Sequence, residues 1–229
     1  VQTCALPISY DALVIGSGIS GGWAAKELCE KGLKTLVLER GRMVEHLKDY
    51  PTTNMNPWEF PLHKQLPLEI TGKNPVVSRC YAFNDSTDQF FVKDTDHPYV
   101  QEKPFDWIRG YQVGGKSLLW ARQTQRWSPY EFEAPARDGF AVDWPIRYED
   151  LAPWYSMVER FVGISGNRDG LKQLPDSEVL PPWEMNCVED HIRKKIHEHY
   201  TDRPVIIGRC AHLTEPQEIH LQQGRGKCQ

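Results

Sequence analysis

The chain has 229 residues, of which 40% are hydrophobic and 25% charged, and its formal net charge is −4. These values are typical of one large globular domain or somewhat more, and they predict a soluble protein, with both the cytoplasm and the periplasm left open. The small negative charge gives no electrostatic basis for binding nucleic acid, and no apolar run is long enough to cross a bilayer.

Both ends of the chain are unusual. It begins at Val1 without an initiator methionine, and residues 1–8 can be encoded by a nucleotide sequence resembling a common short-read sequencing adapter. We therefore predict that residues 1–9 are a sequencing artefact and leave them out of the fold. The other end, residues 224–229, has a loop-like sequence with no closing element. The rest of the chain is accordingly expected to be an N-terminal fragment.

The first predicted unit is a strand, a glycine-rich turn, a helix and a second strand. Asp11–Ile15 is a short apolar segment that predicts a strand, and Gly16–Gly22 comes directly after it. Trp23–Lys31 contains helix formers, and Gly32 predicts the end of that helix. Thr35–Leu38 predicts the second strand. This order is typical of a dinucleotide-binding βαβ unit.

At three positions of the turn, glycine is favoured because a side chain would obstruct the backbone or the ligand. Gly16 allows a tight turn, Gly18 lets the backbone approach a pyrophosphate, and Gly21 lets the helix pack close to the strand. The amino end of the helix favours the phosphate charge. Glu39, at the end of the second strand, can accept hydrogen bonds from the adenosine ribose. Its carboxylate would repel a 2′-phosphate, which argues against NADP.

The segment after the second strand distinguishes FAD from NAD. A compact NAD-binding domain would continue with another helix and strand soon after Arg40. Residues 43–104 instead are rich in Pro, Asn, Asp and aromatic residues and show little periodicity. Such a long irregular stretch is uncommon in a compact domain. It predicts a surface excursion or lid over residues 46–104, and it favours FAD over NAD.

A second glycine motif comes after the excursion. Gly114, Gly115 and Ser117 are small residues at which backbone can approach a ligand, and the large aromatic Trp120 comes shortly after them. Small residues followed by a large aromatic residue could form a surface that packs against the flat ring system of a ligand.

The two motifs together resemble the glucose–methanol–choline (GMC) flavoprotein oxidoreductases. The resemblance runs from Tyr10 to about Gly166, and it rests on the segments LERG at 38–41, RGYQVGGKSLLW at 109–120, DWPIRYEDLAPWY at 143–155 and VGISG at 162–166. Within the family, the chain resembles the branch of pyranose 2-oxidase and the flavin subunits of gluconate and fructose dehydrogenases.

The resemblance implies an α/β fold: a Rossmann-like FAD-binding domain of GMC type, incomplete here, with the beginning of an α+β substrate domain that has an antiparallel sheet. Residues 10–45 and 105–150 would form the first part of the FAD-binding domain. Residues 46–104 would be the excursion or lid, and residues 151–229 the start of the substrate or cap region.

The resemblance also implies a set of FAD contacts. The pyrophosphate would lie against Gly16, Gly18 and Gly21, and the adenosine ribose against Glu39. Arg40 is also expected to bind the cofactor. The residues near the isoalloxazine and ribityl chain would be Gly114, Gly115, Ser117 and Trp120. Pyranose 2-oxidase has a histidine before this tryptophan that carries a covalent flavin bond. Leu119 stands there in this chain, so no such bond is expected.

The implied reaction is oxidation of a CH–OH group on a sugar, sugar acid or polyol, with hydride transfer from the alcohol carbon to flavin N5. The catalytic histidine of the family lies near the C-terminus of full-length members, so no catalytic residue is assigned here, nor any metal ligand among the histidines and cysteines. The fragment is expected to be inactive alone, and the electron acceptor is left open. Two alternatives are a noncatalytic flavin- or nucleotide-binding fragment and an NAD-dependent dehydrogenase.

Two helices and a loop are predicted in the last third. Residues 150–161 place apolar side chains on one stripe of a helix, and residues 187–200 predict a second, largely charged helix. Residues 167–182 predict a loop.

Overall fold

The computed structural model describes residues 9–228. Residues 1–8, for which an adapter origin is predicted, and the final residue lie outside the described residues. The chain divides into two compact units, one ending at Trp120 and the other beginning at Ala121. The functional division into residues 10–45, 46–104, 105–150 and 151–229 stays a prediction.

The first unit begins with a parallel βαβ arrangement. It consists of β1 (Ala12–Ile15), α1 (Ile19–Glu30) and β2 (Thr35–Leu38). The two strands pair in parallel along all four residues of each. Parallel strands need a crossover connection, which α1 supplies. The predicted order of strand, glycine turn, helix and strand is confirmed.

The limits of α1 differ from the prediction at one end. The helix begins at Ile19 rather than Trp23, because Gly18 takes an extended conformation and serves as the N-cap. At the other end Lys31 is the C-cap, and Gly32 comes next with φ +82°. Glycine adopts this left-handed conformation without the steric cost that other residues pay, so Gly32 ends the helix as predicted.

Residues 43–104 contain few regular elements, as the lack of periodicity predicts. The longest is α2 (Leu68–Lys73). The others are single 3₁₀ turns at Pro57–Glu59, Val77–Arg79 and Asp88–Phe90. A further 3₁₀ helix, Gly115–Leu119, lies in the second glycine motif.

This irregular segment nevertheless has a core of its own. Val77, Phe83 and Phe91 are buried together, with Ile108 and Leu119 packed against them. The rings of Phe83 and Phe91 meet edge to face with centroids 5.4 Å apart. Apolar side chains of this segment thus pack against Leu119 of the second glycine motif.

The second unit contains four helices and two short strands among its described residues. These are α3 (Pro129–Asp138), α4 (Tyr148–Val162), β3 (Ile164–Ser165), β4 (Val179–Leu180), α5 (Cys187–His199) and α6 (Glu218–Gln222). The helices predicted at 150–161 and 187–200 are confirmed with small changes of limits, and β4 lies within the predicted loop 167–182. None of the helices described for residues 9–228 combines the length and apolar character that a membrane crossing requires.

The strands of this unit pair differently from the expectation. β3 and β4 are parallel, whereas the resemblance implies an antiparallel sheet. Isolated antiparallel bridges join Cys210 to Gln123 and to Ser165.

Helix α3 was not predicted, although its sequence carries a helix start signal. Ser128 is the N-cap, Pro129 is the first helical residue, and Glu131 accepts a hydrogen bond from the Ser128 amide at 2.7 Å. Serine with glutamate three residues later is the capping-box pattern. The helix buries Phe132, which is 1% exposed.

A buried ion pair lies between the start of the second unit and α4. Arg126 donates from Nε and Nη2 to the two carboxylate oxygens of Glu159, at 2.9 and 2.6 Å. The side chains of Arg126 and Glu159 are only 7% and 5% exposed. The hydrogen bonds to Glu159 raise the pKa of Arg126 above its ordinary value, so the guanidinium stays protonated.

Candidate nucleotide-binding site

The turn between β1 and α1 is closed by a left-handed glycine. Gly16 has φ +91°, and its amide donates to the carbonyl of Leu38 at 2.7 Å. Any other residue at this φ would be strained. The turn lies at the carboxyl ends of both strands, which is where ligands bind in open parallel sheets.

Gly18 and Gly21 differ in their surroundings. A Cβ atom at Gly21 would lie 1.9 Å from the carbonyl oxygen of Gly16, so a larger residue requires α1 to move. A Cβ atom at Gly18 would have no other atom within 4 Å. Gly21 therefore allows the helix to pack on the turn, whereas Gly18 borders open space where a ligand can approach the backbone.

The amino end of α1 is not neutralised by side chains of the helix. Its N-cap, Gly18, has no side chain that could accept hydrogen bonds from the free backbone amides. The first turn contains no acidic residue. The first amides of a helix lack partners within it, and the helix dipole adds partial positive charge there. This end of α1 suits an anion.

Glu39 is held by the glycine turn. Its Oε2 accepts from the Ser17 hydroxyl at 2.6 Å and the Ser17 amide at 2.8 Å, and its Oε1 accepts from the Gly41 amide at 2.8 Å. These donors, the Ser17 hydroxyl above all, lower the pKa of Glu39 to about 2, so the carboxylate is charged at neutral pH. A carboxylate can accept about four hydrogen bonds. The backbone amide of Arg40 also lowers this pKa, so four donors of the chain surround the carboxylate.

The second glycine motif lies directly against the first. The amide of Gly114 donates to the hydroxyl of Ser17 at 3.0 Å, although 97 positions separate them. Gly114 and Gly115 have φ +89° and +55°, and this turn brings a Cβ position on Gly115 within 3.3 Å of the Cα atom of Gly18. Two motifs that are distant in sequence thus form one surface.

The segment after Glu39 supports this contact. A Cβ atom at Gly41 would lie 2.3 Å from the amide nitrogen of Gln112, so the two backbones approach as only glycine permits. The next residue, Arg42, forms a parallel bridge with Gln112. The guanidinium of Arg40 lies 3.8 Å from the centre of the Tyr111 ring, within the range of a cation–π contact.

An open pocket of about 330 Å³ lies where the two motifs meet. It is lined by Gly16, Gly18 and Gly21 from the first motif and by Lys116 and Ser117 from the second. Of the described residues that line it, Lys116 alone carries a formal charge. The pocket combines free amides with a cation, so it favours an anionic ligand.

Gly114 and Gly115 do not line the pocket themselves, but they form the turn directly before Lys116 and Ser117, which do. Gly115 packs on Gly18, and Ser117 donates its hydroxyl to the Gly114 carbonyl at 2.6 Å, which closes the turn. Glu39, Arg40 and Trp120 do not line it, and Trp120 is 39% exposed.

Sequence reasoning missed four residues that join the motifs: Ser17, Gly41, Tyr111 and Gln112. Gly41 and Tyr111 lie inside segments that carry the family resemblance, but their contacts depend on chain folding over about 70 positions. Within residues 9–228, no group of three or more His, Cys, Asp or Glu side chains is arranged to hold a metal ion.

The chain is similar to curated oxidoreductases, although no family model matches it. It is 27% identical over 187 residues to the fructose dehydrogenase large subunit of Gluconobacter japonicus, covering 79% of this chain and 32% of that protein. It is 29% identical over 163 residues to the 2-methyl-1,2-propanediol dehydrogenase of Mycolicibacterium austroafricanum, covering 68% and 25%. A third relative is the gluconate 2-dehydrogenase flavoprotein of Pantoea cypripedii, 28% identical over 173 residues, covering 69% and 26%.

The chain thus spans about a quarter to a third of the length of these relatives. All three are named as dehydrogenases, and one as a flavoprotein. The predicted similarity to oxidoreductases is confirmed at this level.

Proposed function

We propose that this chain forms the first part of the FAD-binding domain of a GMC-type oxidoreductase that oxidises a CH–OH group of a sugar, sugar acid or polyol. The observation that carries the proposal is the hydrogen bond from the Gly114 amide to Ser17, which joins two glycine motifs around one anion-favouring pocket. The names of the relatives support the class of reaction.

The residues of the pocket fit the nucleotide half of FAD. Open space at Gly18 and the free amides of α1 suit the pyrophosphate, with Gly16 and Gly21 shaping the turn beneath it. The negative charge of Glu39 at neutral pH disfavours a 2′-phosphate, as in NADP. A ribose hydroxyl of the adenosine is assigned to the same carboxylate.

The second motif would face the rest of the cofactor. Gly114, Gly115, Ser117 and Trp120 are assigned to the side of the ribityl chain and isoalloxazine, and Arg40 is assigned to the cofactor as well. Bound FAD would supply the two-electron chemistry by accepting hydride from the alcohol carbon at N5. The residues of this chain would hold and orient the cofactor, and none of them is assigned as the base that takes the hydroxyl proton.

Selective binding of FAD tests the proposal. The purified chain is titrated with FAD, ADP, NAD⁺ and NADP⁺, by isothermal titration calorimetry for all four and by flavin fluorescence for FAD. We expect FAD to bind more tightly than NAD⁺, ADP to bind detectably, and NADP⁺ to bind most weakly. Preference for NAD⁺ over FAD would favour the NAD-dependent dehydrogenase, and absence of binding by all four would overturn the nucleotide site.

A further inference from the structure

Lys116 is the charged residue of the nucleotide pocket, and the predicted cofactor contacts do not include it. It lies in the second glycine motif, yet it lines the pocket formed with Gly16, Gly18 and Gly21. Its side chain is exposed. Lys116 therefore does not contribute to the packed core, and we consider what it could bind in the pocket.

The backbone of the second motif explains this position. Gly114 and Gly115 both have positive φ, and they reverse the chain immediately before Lys116. Gly115, the first residue of the 3₁₀ helix, approaches the Cα atom of Gly18, so Lys116 follows close to the amino end of α1. A lysine at this point adds a full positive charge to the partial charge of the helix end.

No carboxylate of residues 9–228 neutralises Lys116. It forms no ion pair in this part of the chain, and the pocket lining contributes no acidic residue. Asp106 lines a neighbouring pocket that Lys116 also borders, but its carboxylate accepts from Arg79 at 2.8 and 2.9 Å. Glu39 is likewise held, by Ser17 and Gly41.

Helix amides and a lysine with no counter-ion among residues 9–228 therefore border one pocket. A pyrophosphate carries negative charge on both phosphates, so it can accept hydrogen bonds from backbone amides and from an ammonium group at the same time. Lysine binds phosphate as a mobile point charge, and its four-carbon stem allows it to reach the anion from the pocket edge.

We propose that Lys116 binds the pyrophosphate of FAD together with the amino end of α1. This inference rests on the proposed function and adds a cofactor-positioning residue to it. The contact is electrostatic, so salt weakens it, and it requires the phosphates rather than the adenine or the flavin ring.

Substitution of Lys116 separates this contact from the rest of the site. Lys116→Met removes the charge and keeps most of the length, and Lys116→Arg keeps the charge. Lys103→Met is the matched control, because Lys103 is an exposed lysine of the same unit that does not line the pocket. Dissociation constants for FAD, ADP and adenosine are measured by calorimetry on the full 229-residue chain at low and at moderate salt, and circular dichroism checks the fold.

We expect Lys116→Met to weaken FAD and ADP binding about tenfold at low salt, with a smaller difference at moderate salt. Adenosine binding should be unchanged, and Lys116→Arg and Lys103→Met should stay close to the wild type. Unchanged FAD and ADP affinities in Lys116→Met would overturn the role of Lys116 while the FAD site stands. An equal loss for adenosine would overturn it as well, since the effect would then not depend on phosphate. If the wild-type chain binds neither FAD nor ADP, the proposed function itself fails.

Discussion

The hydroxyl of Ser17 lies 2.6 Å from Oε2 of Glu39 and donates a hydrogen bond to it. The same hydroxyl oxygen accepts from the amide of Gly114 at 3.0 Å. Hydrogen bonds in such a chain polarise one another, and the charged acceptor makes the bond to Glu39 one of the stronger class. A single side chain thus connects the glycine turn, the end of β2 and the second glycine motif.

Removal of this hydroxyl should loosen the connection. We expect Ser17→Ala to lower the free energy of unfolding by about 1–3 kcal/mol, because Glu39 and Gly114 each lose a partner. FAD affinity should fall as well, since the two motifs are no longer held together. Urea unfolding and FAD titration measure the two effects. Ser17→Thr keeps the hydroxyl and is the matched control; a loss equal to that of Ser17→Ala would show that the hydrogen bonds are not the cause.

The low pKa of Glu39 predicts a pH dependence of stability. A carboxylate whose pKa is lower in the folded chain stabilises the fold above its unfolded pKa, and this contribution disappears as pH falls through its folded pKa. For Glu39 the ordinary value is 4.5 and the folded value about 2. The stability contribution should therefore be complete above about pH 5 and disappear toward pH 2.

Glu39→Gln tests this dependence, because the amide does not titrate. The difference in unfolding free energy between wild type and Glu39→Gln should be largest near neutral pH and shrink as pH falls from about 5 toward 2. Urea unfolding at a series of pH values measures it. A difference that stays constant across this range would contradict the assignment to the Glu39 carboxylate.

The two glycines of the turn should respond differently to alanine. Gly21→Ala places Cβ against the Gly16 carbonyl, so we expect a loss of about 1–3 kcal/mol of stability as α1 shifts. Gly18→Ala meets no atom of the chain within 4 Å, so stability should change little while FAD affinity falls. Thermal unfolding and FAD titration separate the two. Gly72→Ala, which also meets open space in α2, is the control and should leave FAD affinity unchanged.

The sequence predicts those parts of the site in which each residue's function is local. Gly16 must turn the chain, Gly21 must allow the helix to pack, and Gly32 must end it, so their spacing alone indicates the βαβ unit. The contact between Ser17 and Gly114 is different, because it depends on how residues 43–104 fold between them. The second glycine motif alone does not indicate a function for Lys116. Lys116 lies at the pocket only because the second glycine motif packs against the first.

Two further features of the structure were not predicted from the sequence, and each has a physical explanation. The cluster around Val77 and Phe91 was missed because its elements are single turns without periodicity, and its closing partners, Ile108 and Leu119, come from a later segment. The start of α3 is a different case. Its signal, Ser128 with Glu131 three residues later, is local, so the sequence alone indicates where this helix starts.

Breaking the buried ion pair of Arg126 and Glu159 should cost more stability than breaking an exposed ion pair of the same unit. Glu159 also accepts from the Glu178 amide at 2.8 Å, so its removal leaves a buried guanidinium and a backbone donor with poorer partners. We expect Glu159→Gln to lower the free energy of unfolding by about 3 kcal/mol, because an uncompensated charge would remain buried. Replacing both residues, Arg126→Met with Glu159→Met, should recover part of the loss, since no charge is then left inside.

An exposed pair provides the comparison. Asp190 pairs with Arg193 and Lys194 on the surface of α5, with both cations about half exposed or more. Asp190→Asn should cost less than about 1 kcal/mol, because solvent screens these charges. Urea unfolding of the three variants at neutral pH measures the differences. Equal losses for Glu159→Gln and Asp190→Asn would mean that burial of Arg126 does not set the cost, and recovery in the double variant would identify the unpaired charge as its source.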